Sequence, residues 1–314
     1  MLYLTESEFE QLVPMSDALI EVEACFRALG EGRAQNRPRQ RVMTARVVHN
    51  TMPAGWGERG YTGLKTYTSG PNGTRFWVHL FDAHTGDPVA VIEANRLGQR
   101  RTGAASGVAT KFLARADAST LAVIGAGWQA ESQIEAICLV RKIREIRCYS
   151  WTPEHTRRFV ERMRARPGFS IEVAASAEAA VRQADIIVTA TSARESVISG
   201  EWIAAGAHIN AIGANWLNRR ELDDAAVVKS AKIFVDSLEQ AKLESGDLHA
   251  PVVKQLLDWE RVRELGELVA GKVAGRENEQ EVTLFKSHGI ALEDIAVGAL
   301  AVERARQRGL GRES

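Results

Sequence analysis

A short glycine-containing string in the middle of the chain has the composition and spacing of a loop that binds phosphate groups. The apolar run Thr120–Ile124 leads directly into this string, and a helix-forming stretch follows it. In such a pattern the first glycine permits a tight turn, the second lets a pyrophosphate approach the backbone, and a small third residue keeps the helix close to the strand. The N–H groups and positive dipole end of the helix then bind the phosphates. The spacing predicts dinucleotide binding at Gly125, Ala126, Gly127, Trp128, Gln129 and Ala130.

The end of the next predicted strand bears on which dinucleotide is bound. In an NAD-binding domain a carboxylate at this position receives the ribose 2′-hydroxyl. Here the position falls near Ser150, followed by Trp151 and Thr152, and none of these residues is acidic. Their hydroxyls and the positive charge of Arg157 suit a 2′-phosphate, although such arginines also fit a solvated helix face. We therefore expect NADP(H) or NAD(H), with NADP favoured.

Composition limits the other classes of function. Lys plus Arg and Asp plus Glu number 40 each, so no net charge attracts nucleic acid or an anionic membrane, and a small-molecule partner fits better. The N-terminus lacks a basic region before an apolar stretch, and no run of about 18 apolar residues occurs, which predicts a cytoplasmic protein. Cys25, Cys138 and Cys148 cannot all pair and show no Cys-x-x-Cys spacing. We interpret them as buried packing residues in a reducing compartment and assign no metal site.

The first part of the chain predicts a small mixed α/β unit. It opens with two helices, the first capped by Thr5 with Glu8 following, the second running from about Asp17 to Gly30. Segments with strand character follow at Val42–Val48, Tyr61–Thr68, Arg75–Phe81 and Pro88–Glu93. A helix rich in small residues, Thr102–Arg115, is expected to be the hinge between two domains.

After Asp117 the pattern changes to short strands that alternate with helices. The predicted strands lie at 120–124, 146–149, 186–190, 208–212 and 233–236, and they are apolar on both faces. This alternation predicts an α/β fold with a Rossmann-type doubly wound parallel sheet over 116–290. The amphipathic stretch Leu292–Arg308 is expected to return to the first domain, which then comprises 1–115 together with 291–314.

Several short strings resemble, in order, those of the ornithine cyclodeaminase and mu-crystallin family, which includes archaeal alanine dehydrogenase and ketimine reductases. The match extends from about residue 36 to about residue 297. The strings are Met52-Pro53-Ala54, Gly63-Leu64-Lys65, Arg101-Thr102, Ala109–Leu113, the Gly125 loop, Gly200-Glu201-Trp202, His208–Gly213, Arg220–Asp223, Glu244–Asp247 and Phe285-Lys286-Ser287. The resemblance implies a homodimer whose chain ends form a substrate-binding and dimerisation domain, with the active site in the cleft beside the dinucleotide domain.

The resemblance also implies an activity, namely NAD(P)H-dependent oxidation or reduction of a small α-amino or α-imino acid. Three cations, Arg39, Lys65 and Arg101, correspond to residues that clamp the substrate carboxylate, and Arg41 competes with Arg39 for this role. A carboxylate clamp fixes the α-carbon against the nicotinamide, while Lys65 or a bound water protonates the imine nitrogen. Further cofactor contacts are implied at Thr102, Thr189, Thr191 and Ser287, although packing or capping also explains the last three.

One departure from the family concerns the choice between a reductase and a lyase. Ornithine cyclodeaminase has an aspartate where this chain has Asn215, and an amide cannot take a proton at neutral pH. His288, which replaces an apolar residue of the relatives, could supply the missing acid or base, or it is a histidine satisfied in a buried loop. An imine reductase or amino-acid dehydrogenase is therefore expected. The alternatives are a cyclodeaminase-type lyase that uses NAD within one turnover and a non-catalytic NADPH-binding protein.

Overall fold

The computed structural model describes residues 1–166 and 168–313, and within it the chain forms two compact units. Unit 1 comprises Met1–Ala105 together with the chain from Gly289 onward, and unit 2 comprises Ser106–His288. The first break falls inside a helix rather than after it, at 105/106 instead of 115/116, because one helix supplies residues to both units. The functional assignment of each unit stays a prediction.

The helices and strands follow in chain order. The first part contains β1 (Leu2–Leu4), α1 (Glu6–Leu12), α2 (Met15–Gly30), β2 (Gln35–Asn36), β3 (Gln40–Met43), β4 (Val48–Trp56), β5 (Tyr61–Gly70), β6 (Gly73–Asp82), β7 (Pro88–Glu93) and α3 (Asn95–Leu113). The middle part contains β8 (Thr120–Ile124), α4 (Trp128–Val140), β9 (Glu145–Tyr149), α5 (Pro153–Arg164), β10 (Ile171–Val173), α6 (Ala177–Val181), β11 (Ile186–Thr189), β12 (His208–Ala211) and α7 (Asp224–Lys229). The last part contains β13 (Ser230–Val235), α8 (Leu238–Glu244), α9 (Gly246–Val253), β14 (Val262–Glu264), α10 (Leu265–Val269), β15 (Val282–Lys286), α11 (Ala291–Arg308) and β16 (Arg312–Glu313).

Unit 1 is built on one mixed sheet that is covered by helices. Its strand order is β16-β1-β7-β6-β5-β4-β2, with β3 also paired to β4, and α11 packs against α2, β4, β5 and β6. In β5, Gly63 and Lys65 occupy alternate positions and are both buried, so they face the same side of the sheet. A β-carbon on Gly63 would lie 2.8 Å from Cδ1 of Ile295 in α11. Lys65 therefore lies on the face that α11 covers.

The predicted strand over Val42–Val48 is wrong. β3 ends at Met43, a turn follows in which the N–H of Thr44 donates to the carbonyl of Val47, and β4 continues to Trp56. Proline within a run argues against a strand, and β4 contains Pro53. The Pro53 carbonyl still accepts a hydrogen bond from the N–H of Arg37 at 3.1 Å, which attaches the neighbouring segment to β4.

The other elements of the first part agree better with the sequence. The predicted cap of α1 is confirmed, since the Thr5 side chain accepts from the N–H of Glu8 in a capping box. Strands β5, β6 and β7 cover the three remaining predicted strands, and α3 begins at Asn95, before the expected Thr102.

Unit 2 is built on eight parallel strands in the order β10-β9-β8-β11-β12-β15-β13-β14. Along β8, Leu121 and Val123 belong to one hydrophobic core, whereas Ala122 and Ile124 belong to another. Both faces of the sheet are therefore covered, and the predicted Rossmann-type doubly wound fold is confirmed. The five predicted strands are present, but β10, β14 and the central strand β15 were missed. Strand β15 ends in the buried Lys286, a residue that reads from sequence as a polar boundary.

The strand order reverses at β8, which creates a topological switch point at the carboxyl ends of the strands. Strands β9 and β10 lie on one side of β8, and β11 lies on the other. In open α/β sheets, ligands bind outside the carboxyl ends of the strands at such a switch point. The loops that follow β8 and β11 begin at Gly125 and Ala190, so the predicted glycine loop lies at this point.

The structure also bears on membranes, metals and cysteines. Within residues 1–166 and 168–313, no helix is long and apolar enough to cross a membrane, and no group of three or more His, Cys, Asp or Glu residues could hold a metal ion.

Cys25 and Cys148 are buried, but Cys138 is only half-buried, because it lies on the partly exposed C-terminal half of α4. Burial raises the pKa of Cys138 and Cys148 to about 12, which keeps both thiols protonated near neutral pH.

Candidate active site

Lys65 is a buried cation in the sheet of unit 1, with 2% of its surface exposed. Its Nζ donates to both carboxylate oxygens of Asp294, at 2.9 and 3.2 Å, and lies 5.2 Å from the ring centroid of Phe76. Burial lowers the pKa of Lys65 to about 8, and the positive charge of Arg101 acts in the same direction, against the opposing effect of Asp294. Lys65 can therefore gain or lose a proton close to neutral pH.

Arg101 shares the carboxylates that hold Lys65. Its Nη1 donates to Oε2 of Glu293 at 2.8 Å, and its Nε lies 3.2 Å from Oδ1 of Asp294. Glu293 and Asp294 are fully buried in the first turn of α11, where the positive end of the helix dipole favours carboxylates. Asp294 therefore joins Lys65 on β5 to Arg101 on α3.

Arg39 contributes a third positive charge to this region. Its Nη2 donates to the carbonyl of Gly289 at 3.5 Å, and its charge also lowers the pKa of Lys65. Gly289 has a φ of 74°, and a β-carbon there would lie 2.6 Å from Nη1 of Arg101, so only glycine fits between the two arginines. The competing residue Arg41 lies half-buried on β3.

Lys65, Arg39, Arg101, Glu293 and Asp294 together are called the cation cluster below. Among these five residues three cations lie with two carboxylates, so the named group is formally positive and buried. A small anion such as a carboxylate would therefore be stabilised here.

The glycine loop of unit 2 has the geometry of a phosphate site. Gly125 has a φ of 116°, and a β-carbon on it would lie 2.4 Å from the carbonyl oxygen of Ala190, so the protein itself requires glycine here. A β-carbon on Gly127 would meet no heavy atom within 4 Å. Gly127 is also the N-cap of α4, and this helix start has no side-chain cap among the described residues. The open space and uncapped N–H groups suit the pyrophosphate of a dinucleotide.

The end of β9 is exposed. Trp151 is 91% exposed, and Thr152 is the N-cap of α5 without a side-chain hydrogen bond there. The Arg157 side chain lies 3.5 Å from Glu154, an exposed ion pair of the kind expected on a solvated helix face. No acidic residue follows β9 before Glu154.

Thr189 and Thr191 both donate to one buried carboxylate. The hydroxyl of Thr189 lies 3.0 Å from Oε2 of Glu221, and the hydroxyl of Thr191 lies 2.8 Å from its Oε1. These hydroxyl protons point at Glu221, so the packing role has direct structural support. Cofactor contacts from this segment stay a prediction.

A second buried carboxylate, Asp236, organises the loop after β15. Its Oδ2 accepts from the Ser287 hydroxyl at 3.1 Å and from the N–H of His288 at 2.7 Å, and its Oδ1 lies 3.3 Å from Nδ1 of His288. Asn215 lies half-buried in the loop after β12. The hydroxyl of Thr102 donates to the Gly98 carbonyl one turn earlier in α3, at 2.7 Å.

The sequence did not reveal the carboxylates that hold these predicted residues. The missed residues are Glu293, Asp294, Glu221, Asp247 and Asp236. The signals were an acidic pair at the start of an amphipathic helix, the acid Asp236 at the end of a predicted strand, and the presence of Glu221 and Asp247 in strings that resemble the family. None of these patterns says which cation or N–H group an acid will meet.

Known proteins resemble this chain over nearly its whole length. A model of the ornithine cyclodeaminase/mu-crystallin family matches residues 1–309. The chain is 37% identical to alanine dehydrogenase of Archaeoglobus fulgidus, over 99% of this chain and 97% of that protein. The structure of Thermococcus litoralis Delta(1)-pyrroline-2-carboxylate reductase in complex with NADH and L-proline has a TM-score of 0.96 at 38% identity and covers 100% of both chains. An archaeal alanine dehydrogenase dimer with bound NAD has a TM-score of 0.93 at 37% identity, over 99% of this chain and 98% of that one.

Proposed function

This chain belongs to the ornithine cyclodeaminase/mu-crystallin family, and from that premise we propose that it is an NAD(P)H-dependent oxidoreductase of a small α-imino or α-amino acid. Its reaction is that of an imine or ketimine reductase or an amino-acid dehydrogenase. The observation that carries the proposal is the buried cation cluster, in which Lys65 and Arg101 share Asp294 and the charge of Arg39 also acts on Lys65. Relatives that act on proline, pyrroline-2-carboxylate or alanine support it, because each of these molecules carries a carboxylate.

Arg39 and Arg101 bind the substrate carboxylate. A guanidinium presents a planar fork of N–H donors that matches the two oxygens of a carboxylate. The negative charge of the substrate compensates positive charge of the cluster. Binding in this way fixes the α-carbon and leaves its bond to nitrogen accessible for reaction.

Lys65 moves the proton that accompanies the redox step. The bound reduced cofactor supplies a hydride to the α-carbon of the substrate. Lys65 gives a proton to the imine nitrogen, addition of the hydride to the α-carbon turns the C=N bond into a C–N bond, and solvent restores the proton on Nζ. Asp294 keeps Nζ in place in both protonation states by accepting its hydrogen bonds. His288, held by Asp236, is the second acid or base, and Asn215 orients the amine or a water by hydrogen bonding.

The cofactor is held at the carboxyl edge of the unit 2 sheet. The loop from Gly125 to Ala130 binds the pyrophosphate, and Thr189, Thr191 and Ser287 contribute to the rest of the site. Ser150, Trp151, Thr152 and Arg157 lie where the adenosine ribose is expected. We infer a preference for NADP(H) because no carboxylate among Ser150, Trp151 and Thr152 is available for an unmodified 2′-hydroxyl.

The quaternary state and cellular location follow the same reasoning. We propose a homodimer, as in the archaeal alanine dehydrogenase dimer, and the exposed apolar side chains of Val42 and Met43 on β3 supply surface for such contacts. A reducing, cytoplasmic location is supported by the free Cys25, Cys138 and Cys148.

Cofactor turnover tests the proposal. The purified protein is mixed with NADPH or NADH and with pyrroline-2-carboxylate, piperideine-2-carboxylate or pyruvate plus an amine. A lasting loss of nicotinamide absorbance, larger with NADPH, is expected. Release of ammonia from ornithine without net cofactor change would instead establish the lyase, and tight nucleotide binding without turnover would establish a binding protein.

Gly127→Val tests the assignment of the cofactor loop. Because a β-carbon at Gly127 meets no protein atom within 4 Å, this variant should keep the stability of the parent. It should lose nucleotide binding in calorimetry, since the new side chain fills the space assigned to the pyrophosphate. Unchanged affinity would refute the loop assignment.

A further inference from the structure

The carboxylate of Glu221 is fully buried and accepts four hydrogen bonds from the ends of two strands. Its Oε1 accepts from the N–H and hydroxyl of Thr191, at 2.7 and 2.8 Å. Its Oε2 accepts from the Thr189 hydroxyl at 3.0 Å and from the N–H of Gly213 at 2.6 Å. Thr189 is the last residue of β11, Thr191 follows that strand, and Gly213 follows β12, so one side chain ties both exits together.

A buried ion pair holds Glu221 from its other side. Oδ1 of Asp247 accepts from the N–H groups of Glu221 and Leu222, at 2.6 and 2.9 Å. Oδ2 of Asp247 lies 3.0 Å from Nζ of Lys286 at the end of β15, and both side chains have no exposed surface. Glu221, Asp247 and Lys286 are called the Glu221 cluster below. It connects the exits of β11, β12 and β15.

Close packing leaves these exits little freedom to shift. A β-carbon on Gly213 would lie 2.1 Å from the carbonyl oxygen of Thr191 and 2.5 Å from Oε1 of Glu221. A β-carbon on Gly125 would lie 2.4 Å from the carbonyl oxygen of Ala190 and 3.3 Å from Cγ2 of Thr191. The segment that Glu221 fixes therefore adjoins the glycine loop directly, on the β11 side of the switch point.

We propose that Glu221 is a positioning residue that fixes the wall of the cofactor site against which the nicotinamide end lies. The inference rests on the proposed function, because it deepens the assignment of the carboxyl edge as the cofactor site. The glycine loop holds the pyrophosphate, and the Glu221-bound exits of β11 and β12 adjoin it on the side away from β9, where the adenosine is expected. Glu221 does not touch the reacting atoms; it acts through Thr191 and Gly213.

The hydrogen-bond pattern requires a carboxylate rather than an amide. Each oxygen of Glu221 accepts from one backbone N–H, Thr191 at Oε1 and Gly213 at Oε2. Glutamine has a single acceptor oxygen, and its NH₂ group would face one of these N–H groups. Glu221→Gln therefore sets a donor against a donor and displaces one strand exit, whereas the volume of the side chain stays the same.

The experiment compares binding of the whole cofactor with binding of the same molecule without its nicotinamide. Affinities of wild type and Glu221→Gln are measured by calorimetry for NADH with ADP-ribose, and for NADPH with 2′-phospho-ADP-ribose. We expect the Kd of the dinucleotide to rise about ten-fold, as for one lost hydrogen bond to a charged group, while the Kd of the ligand that lacks nicotinamide changes less than about two-fold. The emission of bound NADH or NADPH should shift toward that of the free nucleotide, and kcat should fall about ten-fold.

Two further variants complete the design. Glu178→Gln alters an exposed carboxylate that pairs with Arg182 and should change none of these quantities. Thr189→Val replaces Glu221→Gln as the test if the latter does not fold. It removes a single donor to Glu221 and should weaken dinucleotide binding about three-fold. Equal loss of both ligands, or no loss of either, would overturn the positioning role. Failure of wild type to bind either dinucleotide would overturn the proposed function instead.

Discussion

The two buried charge clusters of this protein have opposite formal charge. The cation cluster in unit 1 has three cations and two carboxylates, whereas the Glu221 cluster in unit 2 has two carboxylates and one cation. In both, burial is the largest cause of the pKa shift, lowering the pKa of Lys65 and raising that of Glu221. The second-largest cause differs, since the charge of Arg101 adds to the pKa shift of Lys65 whereas the charge of Lys286 opposes the pKa shift of Glu221.

The two clusters differ in the groups that donate hydrogen bonds to their carboxylates. The carboxylates of the Glu221 cluster accept four backbone N–H groups, from Thr191, Gly213, Glu221 and Leu222, so their negative charge is compensated by the fold itself. The carboxylates of the cation cluster, Glu293 and Asp294, instead accept from the side chains of Arg101 and Lys65, and we propose that a bound acid joins these cations. One cluster is therefore suited to holding loops and the other to binding and proton transfer. Three predictions test this contrast.

Replacing the lysine of each cluster by methionine should affect catalysis in one case and stability in the other. Lys65→Met removes the proposed proton donor and should lower kcat roughly 10²–10⁴-fold, while Asp294 keeps its contact with Arg101. Lys286→Met leaves Asp247 without its cation and should lower the free energy of unfolding by about 3–5 kcal/mol. Steady-state kinetics and denaturant unfolding measure both quantities. The contrast fails if Lys65→Met loses only stability, or if Lys286→Met loses activity without stability.

Arg101→Lys tests the carboxylate clamp. The lysine keeps the charge but loses the planar fork, so the KM for the substrate acid should rise roughly 10–100-fold, whereas the Kd of the nucleotide should not change. Arg27→Lys, which alters an exposed cation paired with Glu23, is the matched control in unit 1. An equal loss of nucleotide affinity would mean that Arg101 serves the cofactor.

The pH dependence of reduction should report the protonation of Lys65. The protonated form supplies the proton, so kcat/KM should be constant below pH 8 and fall with rising pH above about 8, where Nζ loses its proton. A bound carboxylate stabilises the charged form, so the limb in kcat should lie at higher pH than the limb in kcat/KM. The residual activity of Lys65→Met should show no such limb. A limb that persists in this variant would show that a group other than Lys65 supplies the proton.

Local patterns explain which parts of the fold were predictable. The Thr5 cap and the run from Thr120 through the glycine loop depend on neighbouring residues, and the structure has them where the sequence places them. The limits of β4 were not predictable, because Pro53 and Gly55 argue against a strand that its partners β2, β3 and β5 nevertheless support. Strand β15 was missed for a related reason, since burial of Lys286 requires Asp247 from a distant helix.

The cations of the candidate site were predictable from the sequence, but their acidic partners were not. Lys65 stood out as the single charge in an otherwise uncharged strand, and the structure buries it. Its partner Asp294 lies on α11, whose amphipathic pattern would place acids on a solvated face. The catalytic and binding roles of these residues stay predictions, as do those of Asn215 and His288.

The counter-ions of Lys65 and Arg101 come from the last helix of the chain, and this has a consequence for synthesis on the ribosome. The Lys65–Asp294 and Arg101–Glu293 pairs are separated by 229 and 192 positions. Unit 2 is continuous in sequence and can fold while translation proceeds, whereas unit 1 must wait for α11. Until that helix emerges, the two cations have no carboxylates beside which to be buried. We therefore expect the nascent first segment to stay hydrated and open until α11 is synthesised, and we expect a chain that terminates before residue 291 to remain in that state.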